Sequence, residues 1–216
     1  MTPQRACEPG PGAATTAAIV LTGGGSTRMG RHKPALVIGG RPIIVRVLEA
    51  AAGHRVVVVG DADAVPAGVQ VVREQPAGGG PVAGIAAGLA ALQPIAGVAG
   101  GPRGPQLVAV LAGDLPFLTG PALTELFVAL DSGPVDVPRP DVAVAVDLAG
   151  RTNWLCAVWR VDVLRARLAD LGDLVGVSVR RLAAGLRLVH VLDESGWSSD
   201  VDTPEDLDEA RRTEDR

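Results

Sequence analysis

The sequence predicts an α/β fold, a three-layer Rossmann-like arrangement with a mostly parallel sheet and helices on both faces. Three observations predict it. Short apolar runs rich in β-branched residues recur at 18–22, 55–59 and 107–112. They are continuous rather than alternating, as strands buried on both faces must be. Helix-like stretches separate them, and strand–helix–strand order makes parallel crossovers.

The elements follow in order. Residues 1–16, rich in Pro, Gly, Ala and Thr, read as a flexible tail before a single domain over 17–212. The strand at 18–22 precedes a helix at 42–52, whose Pro42 suits a first helical turn. Strands follow at 55–59 and 69–72, then a helix of small residues at 82–92. The Gly/Pro-rich stretch 93–106 reads as a loop. A buried strand at 107–112 leads into a helix at 121–130. Beyond residue 131 the pattern changes. Runs at 142–146 and 155–160 flank Asp147-Leu-Ala-Gly-Arg-Thr-Asn153 and are expected to pair as a hairpin-like unit. Helices near 161–171 and 175–185, a strand at 187–192 and a last helix capped by Thr203 complete the reading.

Composition removes several function classes. The 216 residues are enough for one sizeable core. There is no Tyr, with two Phe and three Trp, and the formal charge is −4. Neither a base-stacking platform nor a basic nucleic-acid surface is expected. Cys7 and Cys156 form no metal-type spacing. The first residues lack the apolar run of a secretory signal, and no stretch reaches the ~18 apolar residues of a membrane helix. A soluble, cytoplasmic protein is the expectation.

The most informative segment is Ile19-Val-Leu-Thr-Gly-Gly-Gly-Ser-Thr-Arg-Met-Gly-Arg-His-Lys-Pro-Ala-Leu36. A strand stops at three glycines, and Arg28, Arg31 and Lys33 follow. Glycines let backbone amides close on an anion, and the cations add charge-assisted bonds to phosphate. The segment reads as a polyphosphate loop; a glycine-rich turn before a solvated basic face is the alternative. It is not a Walker A loop, because Arg31 and His32 occupy the Lys and Ser/Thr places. It is not a dinucleotide fingerprint either, because Arg28 stands where the third glycine belongs.

The pattern Leu-x-Gly-Gly-x-Ser-x-Arg-Met-Gly-x-x-Lys does fit, from Leu21 to Lys33. It resembles the signature of small nucleotidyltransferases, in particular the molybdenum cofactor guanylyltransferases of the MobA type. Thr22 departs from the family's Ala, and His32 from its Asp. The resemblance implies a fold of the nucleotide-diphospho-sugar transferase type. Leu21, Thr22, Gly23, Gly24, Gly25, Ser26, Arg28 and Lys33 would then bind the nucleotide, with Arg28 and Lys33 also catalytic.

Further segments carry chemistry of their own. Asp114 directly follows an apolar strand, and Pro116 stops regular structure behind it. A carboxylate there suits Mg²⁺, which takes one or two carboxylates plus substrate phosphates; a turn or capping Asp is the alternative. The Asp-x-Pro element also resembles the family's metal motif, which makes Asp114 catalytic as well. Glu74 follows the 69–72 strand, where the family has an acid that contacts the nucleotide. Where the family often has Asn after the 55–59 strand, this chain has Gly60-Asp61. The helix opened by Gly80-Pro81-Val-Ala-Gly84 resembles the family segment associated with guanine use, and the related cytidylyltransferases carry serines there. The resemblance implies that Glu74, Gly80, Pro81 and Gly84 contact the nucleotide; a solvated loop carboxylate and a flexible turn with ordinary helix packing are the alternatives.

Asp200 and Asp202 precede Thr203-Pro-Glu-Asp206. Capping explains residues 203–206 but not the two acids, which occupy the place of a family pair near the active site. Asp202 is a second, weaker metal candidate; turn formation is the other reading. The segment from Asn153 to Arg160 resembles the family strand lining the pterin side, although core packing accounts for Trp154 and Trp159. Ser178, Arg180 and Arg181 lie where the family places pterin-phosphate contacts, or on a solvated helix face.

The implied reaction transfers GMP from GTP to molybdenum-bearing molybdopterin with loss of pyrophosphate, with Mg²⁺ as cofactor. Implied partners are GTP, molybdopterin, and proteins that insert molybdenum or mature molybdoenzymes; nucleic acid and membranes are not among them. Two alternatives stay open. One is a cytidylyltransferase or other small nucleotidyltransferase. The other is a non-catalytic nucleotide-binding relative.

Overall fold

The computed structural model describes residues 15–23, 33–92, 104–132 and 138–214. Its centre is a seven-stranded sheet of order β5-β4-β1-β6-β8-β7-β9. The strands are β1 (Thr16–Leu21), β4 (Arg55–Val59), β5 (Gln70–Val72), β6 (Leu107–Ala112), β7 (Val142–Asp147), β8 (Thr152–Arg160) and β9 (Leu188–Asp193). β1 pairs parallel with β4 and β6, β4 with β5, and β7 with β9; β8 is antiparallel to both its neighbours.

Alternation along β1 splits the core. Ala18 and Val20 face one side with α1 (Ile43–Ala50), α3 (Gly120–Asp131) and α6 (Pro204–Glu214). Ala17, Ile19 and Leu21 face the other with α2 (Pro81–Ala91), α4 (Val161–Leu171) and the short α5 (Val179–Leu182). The expected three layers are present. Helix α2 packs unusually close. A Cβ on Gly88 would stand 2.6 Å from Ile19 Cγ2, and one on Gly84 3.2 Å from Leu21 Cδ2.

The differences from the sequence reading are local. β1 begins at Thr16, inside the expected tail; its Oγ1 lies 2.7 Å from His54 Nδ1, and the Thr15 carbonyl accepts from the Gln106 amide at 2.8 Å. Residues 1–14 of that tail and 93–103 of the expected loop lie outside the described residues. A small hairpin, β2 (Val37–Ile38) and β3 (Arg41–Pro42), turns through Gly39 and Gly40 at positive φ. The helix expected at 175–185 shrinks to α5, because Gly176 sits at φ 70 and Ser178 caps the helix from outside it.

The hairpin-like unit is β7–β8, with a bulge at Val144/Ala145. β8 pairs with β6 only as far as Leu111↔Cys156, while its earlier residues Thr152 and Asn153 stay paired with β7. The sheet therefore forks at its functional edge. Among the described residues, no helix is long and apolar enough to cross a membrane.

Candidate active site

Ligands of open α/β sheets bind beyond the carboxyl ends of the strands. Here that edge gathers the ends of β1, β4, β5 and β6 together with the start of the reversed β8. The ends of β1 and β4 are tied to each other. Thr22 is buried, and its Oγ1 donates to the Asp61 carbonyl at 2.7 Å and the Val59 carbonyl at 3.2 Å. Gly60 has φ 120, and a Cβ there would stand 2.4 Å from the Gly23 nitrogen. No side chain can occupy position 60, which explains the departure from Asn. The Asp61 carboxylate is turned to the Arg73 guanidinium, with both groups exposed.

Lys33 opens a short 3-10 turn, Lys33–Ala35, and is buried. Its Nζ donates to Asp202 Oδ1 at 2.6 Å, across 169 residues of chain. Asp202 is held in turn by the start of α6. Asp206 Oδ2 accepts from the amides of Asp202 (3.0 Å) and Thr203 (2.7 Å), and Thr203 Oγ1 accepts from the Asp206 amide (3.1 Å). This is a reciprocal cap of the expected kind.

Asp114 follows β6, and its carbonyl accepts from the Val201 amide at 3.3 Å. Burial first, then the Asp200 charge, pushes its carboxyl up to about 6 against the pull of Lys33, with Asp202 adding to the rise. Burial and Asp202 also raise Asp200. Among the described residues, Lys33 thus stands with three carboxyl groups, those of Asp114, Asp200 and Asp202. Among the described residues no three acids, His or Cys stand close enough to hold a metal by themselves. Carboxylates short of a full ligand cage could hold a Mg²⁺ that takes its remaining oxygens from substrate phosphates and water.

The other expected nucleotide residues divide. Glu74 is half-buried, and its Oε1 accepts from the Gly78 amide at 3.0 Å. A Cβ on Gly23 would come 3.9 Å from that same oxygen, so Glu74 stands beside the first glycine of the loop. Gly80 caps α2 at φ 91 with Pro81 as its first residue, and no side chain caps the helix start. Gly84 instead packs α2 onto the sheet. Leu21 is buried, and its carbonyl accepts from the Gly113 amide at 2.9 Å. Gly24, Gly25, Ser26 and Arg28 lie outside the described residues.

Asp200 and Asp202 also line a cleft of about 860 Å³, with Phe117, Asn153, Trp154 and Trp197. Trp159 is fully buried, as packing requires, and Trp154 is half-buried. Ser178 caps α5, and it, Arg180 and Arg181 are exposed. Sequence reading missed the hydrogen bond from the Gly176 amide to the Gly79 carbonyl (2.9 Å). It also missed Asp193, whose place before Glu-Ser-Gly is a turn signal.

The MobA-like NTP transferase domain model matches residues 18–190. The chain belongs to the MobA-like NTP transferase family. A MobA-like relative, the molybdenum cofactor guanylyltransferase of Rhodobacter capsulatus, is 31% identical over 205 residues, covering 93% of this chain and 95% of that protein. A probable molybdenum cofactor guanylyltransferase of Mycobacterium tuberculosis is 33% identical over 175 residues, 78% of this chain and 77% of the relative. Among solved structures, molybdopterin-guanine dinucleotide biosynthesis protein A of Archaeoglobus fulgidus superposes with a TM-score of 0.68 at 21% identity, covering 91% and 97% of the two chains. The 2-C-methyl-D-erythritol 4-phosphate cytidylyltransferase of Thermus thermophilus gives 0.65 at 19% identity, covering 94% and 100%. The MobA-like fold thus serves proteins named for different bases, and it does not choose between them.

Proposed function

We propose that the protein is a molybdenum cofactor guanylyltransferase. The terminal phosphate oxygen of molybdenum-bearing molybdopterin attacks the α-phosphorus of GTP. The α–β anhydride bond breaks, pyrophosphate leaves, and a new anhydride joins GMP to the acceptor. The observation that carries this reading is the meeting of Lys33, at the end of the phosphate-loop signature, with Asp114, Asp200 and Asp202. The MobA-like family and its guanylyltransferase relatives supply the base and the acceptor.

In this reading the amides of Gly23–Gly25, with Ser26, Arg28 and Lys33, hold the triphosphate, and transfer proceeds by positioning and charge neutralisation. Asp114, with Asp202, would hold Mg²⁺, which would supply Lewis acidity and a template for the phosphates. Glu74 accepts from the guanine N1–H and N2–H edge, near Gly80 and Pro81. The acceptor lies in the cleft that Asp200 and Asp202 line. The reaction belongs to the cytoplasm, where proteins that insert molybdenum or mature molybdoenzymes would exchange substrate and product with it. Turnover with each nucleoside triphosphate and molybdenum-bearing molybdopterin, followed by pyrophosphate release, tests the proposal. Release only with GTP is expected, and release with none would refute it.

A further inference from the structure

A buried carboxylate outside the proposed reacting cluster holds the turn that leads to the acidic pair. Asp193 closes β9 and is 2% exposed. Its Oδ1 accepts from the amides of Ser195 (3.1 Å), Gly196 (2.7 Å) and Trp197 (3.0 Å), and its Oδ2 from the amide and hydroxyl of Ser198 (both 2.7 Å). Burial alone would raise this carboxyl, but the bonds from Ser198, Trp197 and Gly196 hold it below the ordinary range.

The turn so folded is anchored again at each end. The Ser198 carbonyl accepts from Asn153 Nδ2 at 2.6 Å, and Asn153 Oδ1 accepts from the Leu155 amide at 3.0 Å. The Trp197 side chain is buried in the core. Val201 is 1% exposed and its amide donates to the Asp114 carbonyl. Between these anchors run only Ser199 and Asp200, and Asp202 follows directly.

We propose that Asp193 is a positioning residue for nucleotidyl transfer: its carboxylate folds the 195–198 turn so that Asp200 and Asp202 stand against Asp114 and Lys33. The inference rests on the reading that these four groups form the reaction centre. An amide in place of the carboxylate would set an NH₂ donor against backbone N–H donors, and the turn would have to open.

Asp141 provides the comparison. It is a second buried carboxylate, bound to the Arg187 guanidinium at 2.7 and 3.0 Å, at the opposite end of β7. The experiment sets Asp193→Asn beside Asp141→Asn in the full chain. It measures Tm, kcat and KM for GTP, and hydrogen exchange of the 195–198 amides. Asp193→Asn is expected to lower kcat about a hundredfold, as ångström-scale misplacement of a reacting group does. KM for GTP should stay within about twofold, and exchange across 195–198 should accelerate. Asp141→Asn should lower Tm and leave kcat unchanged.

Unchanged kcat in Asp193→Asn overturns the proposal. So does a loss of kcat that merely parallels the Tm loss in both variants. Should Asp193→Asn fail to fold, Ser198→Ala decides, because it deletes one of the five bonds. A several-fold fall in kcat at constant Tm is expected there, and no fall overturns the proposal. A wild type without GTP-dependent pyrophosphate release would refute the underlying reading. The exchange measurement, which needs no acceptor, would still show whether Asp193 holds the turn.

Discussion

Lys33 Nζ and Asp202 Oδ1 stand 2.6 Å apart although 169 residues separate them. The Lys33 side chain is 10% exposed and that of Asp202 67%. The pair joins the end of the phosphate-loop signature to the start of the last helix. A largely solvated partner contributes little to stability. The pair holds the Lys33 ammonium at the carboxyl edge of the sheet, where the proposed function places the triphosphate.

Lys33→Ala should therefore lower GTP affinity and turnover with little change in the ligand-free Tm. A charged hydrogen bond to phosphate contributes about 1.5–3 kcal/mol, so a roughly ten- to hundredfold effect is expected. Steady-state kinetics and a thermal melt check it together. Wild-type kinetics in the variant would remove Lys33 from the phosphate site. Asp202→Asn, which still offers Lys33 an oxygen, should show the weaker effect of the two.

Asp114→Asn should keep the fold, lose Mg²⁺-dependent activity and gain ligand-free stability at neutral pH. The sign follows from the carboxyl, which titrates at about 6 in the folded protein against an ordinary 3.8. The folded state binds the proton more tightly, so stability falls as pH rises through that window and stays lower above it. The variant has no such group. Melts between pH 4 and 8 should show wild type losing ground to the variant as pH increases. Parallel curves would contradict the buried, repelled carboxylate.

GTP should be preferred over CTP in kcat/KM by at least about a hundredfold, because a polar pocket built for one base leaves groups unpaired with the other. The structure separates two changes that the sequence alone would pair. Pro81→Ser alters the start of α2 and should erode the preference at constant Tm. Gly84→Ser meets Leu21 Cδ2 at 3.2 Å, so it should also cost stability. A wild type that prefers CTP would reject the guanine assignment and leave the fold untouched.

Gly88→Ala should destabilise the protein even though alanine favours helix by about 1 kcal/mol. Its Cβ would lie 2.6 Å from Ile19 Cγ2 and 3.0 Å from Val59 Cγ2, both in the buried sheet. Overpacking of this kind costs about 1–3 kcal/mol. Chemical denaturation should register a net loss, and a net gain would mean that α2 can lift off the sheet.

The strands at 55–59 and 107–112 were legible to the residue, because continuous apolar runs ending at Gly or Asp leave little ambiguity. The place of Asp114 just past β6 was legible for the same reason. The short pieces were not: β2–β3 has two residues per strand, and α5 is one turn whose limits Gly176 and Ser178 set. The Thr22 hydroxyl spans to the Val59 and Asp61 carbonyls, a long-range tie with no local signature. The Lys33–Asp202 pair and the Asp193 turn stayed hidden because each depends on where distant strands end. The signature residues Gly24–Arg28 remain an assignment from sequence.

The fork between β6 and β8 has a consequence for how this scaffold varies. Where the strands unzip, the seat beside Asp200 is framed by two diverging stretches of main chain, from Leu111 onward and from Cys156 back to Asn153. Its frame is set by strand register and the bulge at Val144/Ala145, and its walls by Phe117, Trp154 and Trp197. Exchanging a side chain there reshapes the lining but leaves the opening in place. The parallel half beyond β6 keeps its own geometry meanwhile. One side of the molecule can be reshaped without disturbing the parallel half, to which the proposed function assigns the triphosphate.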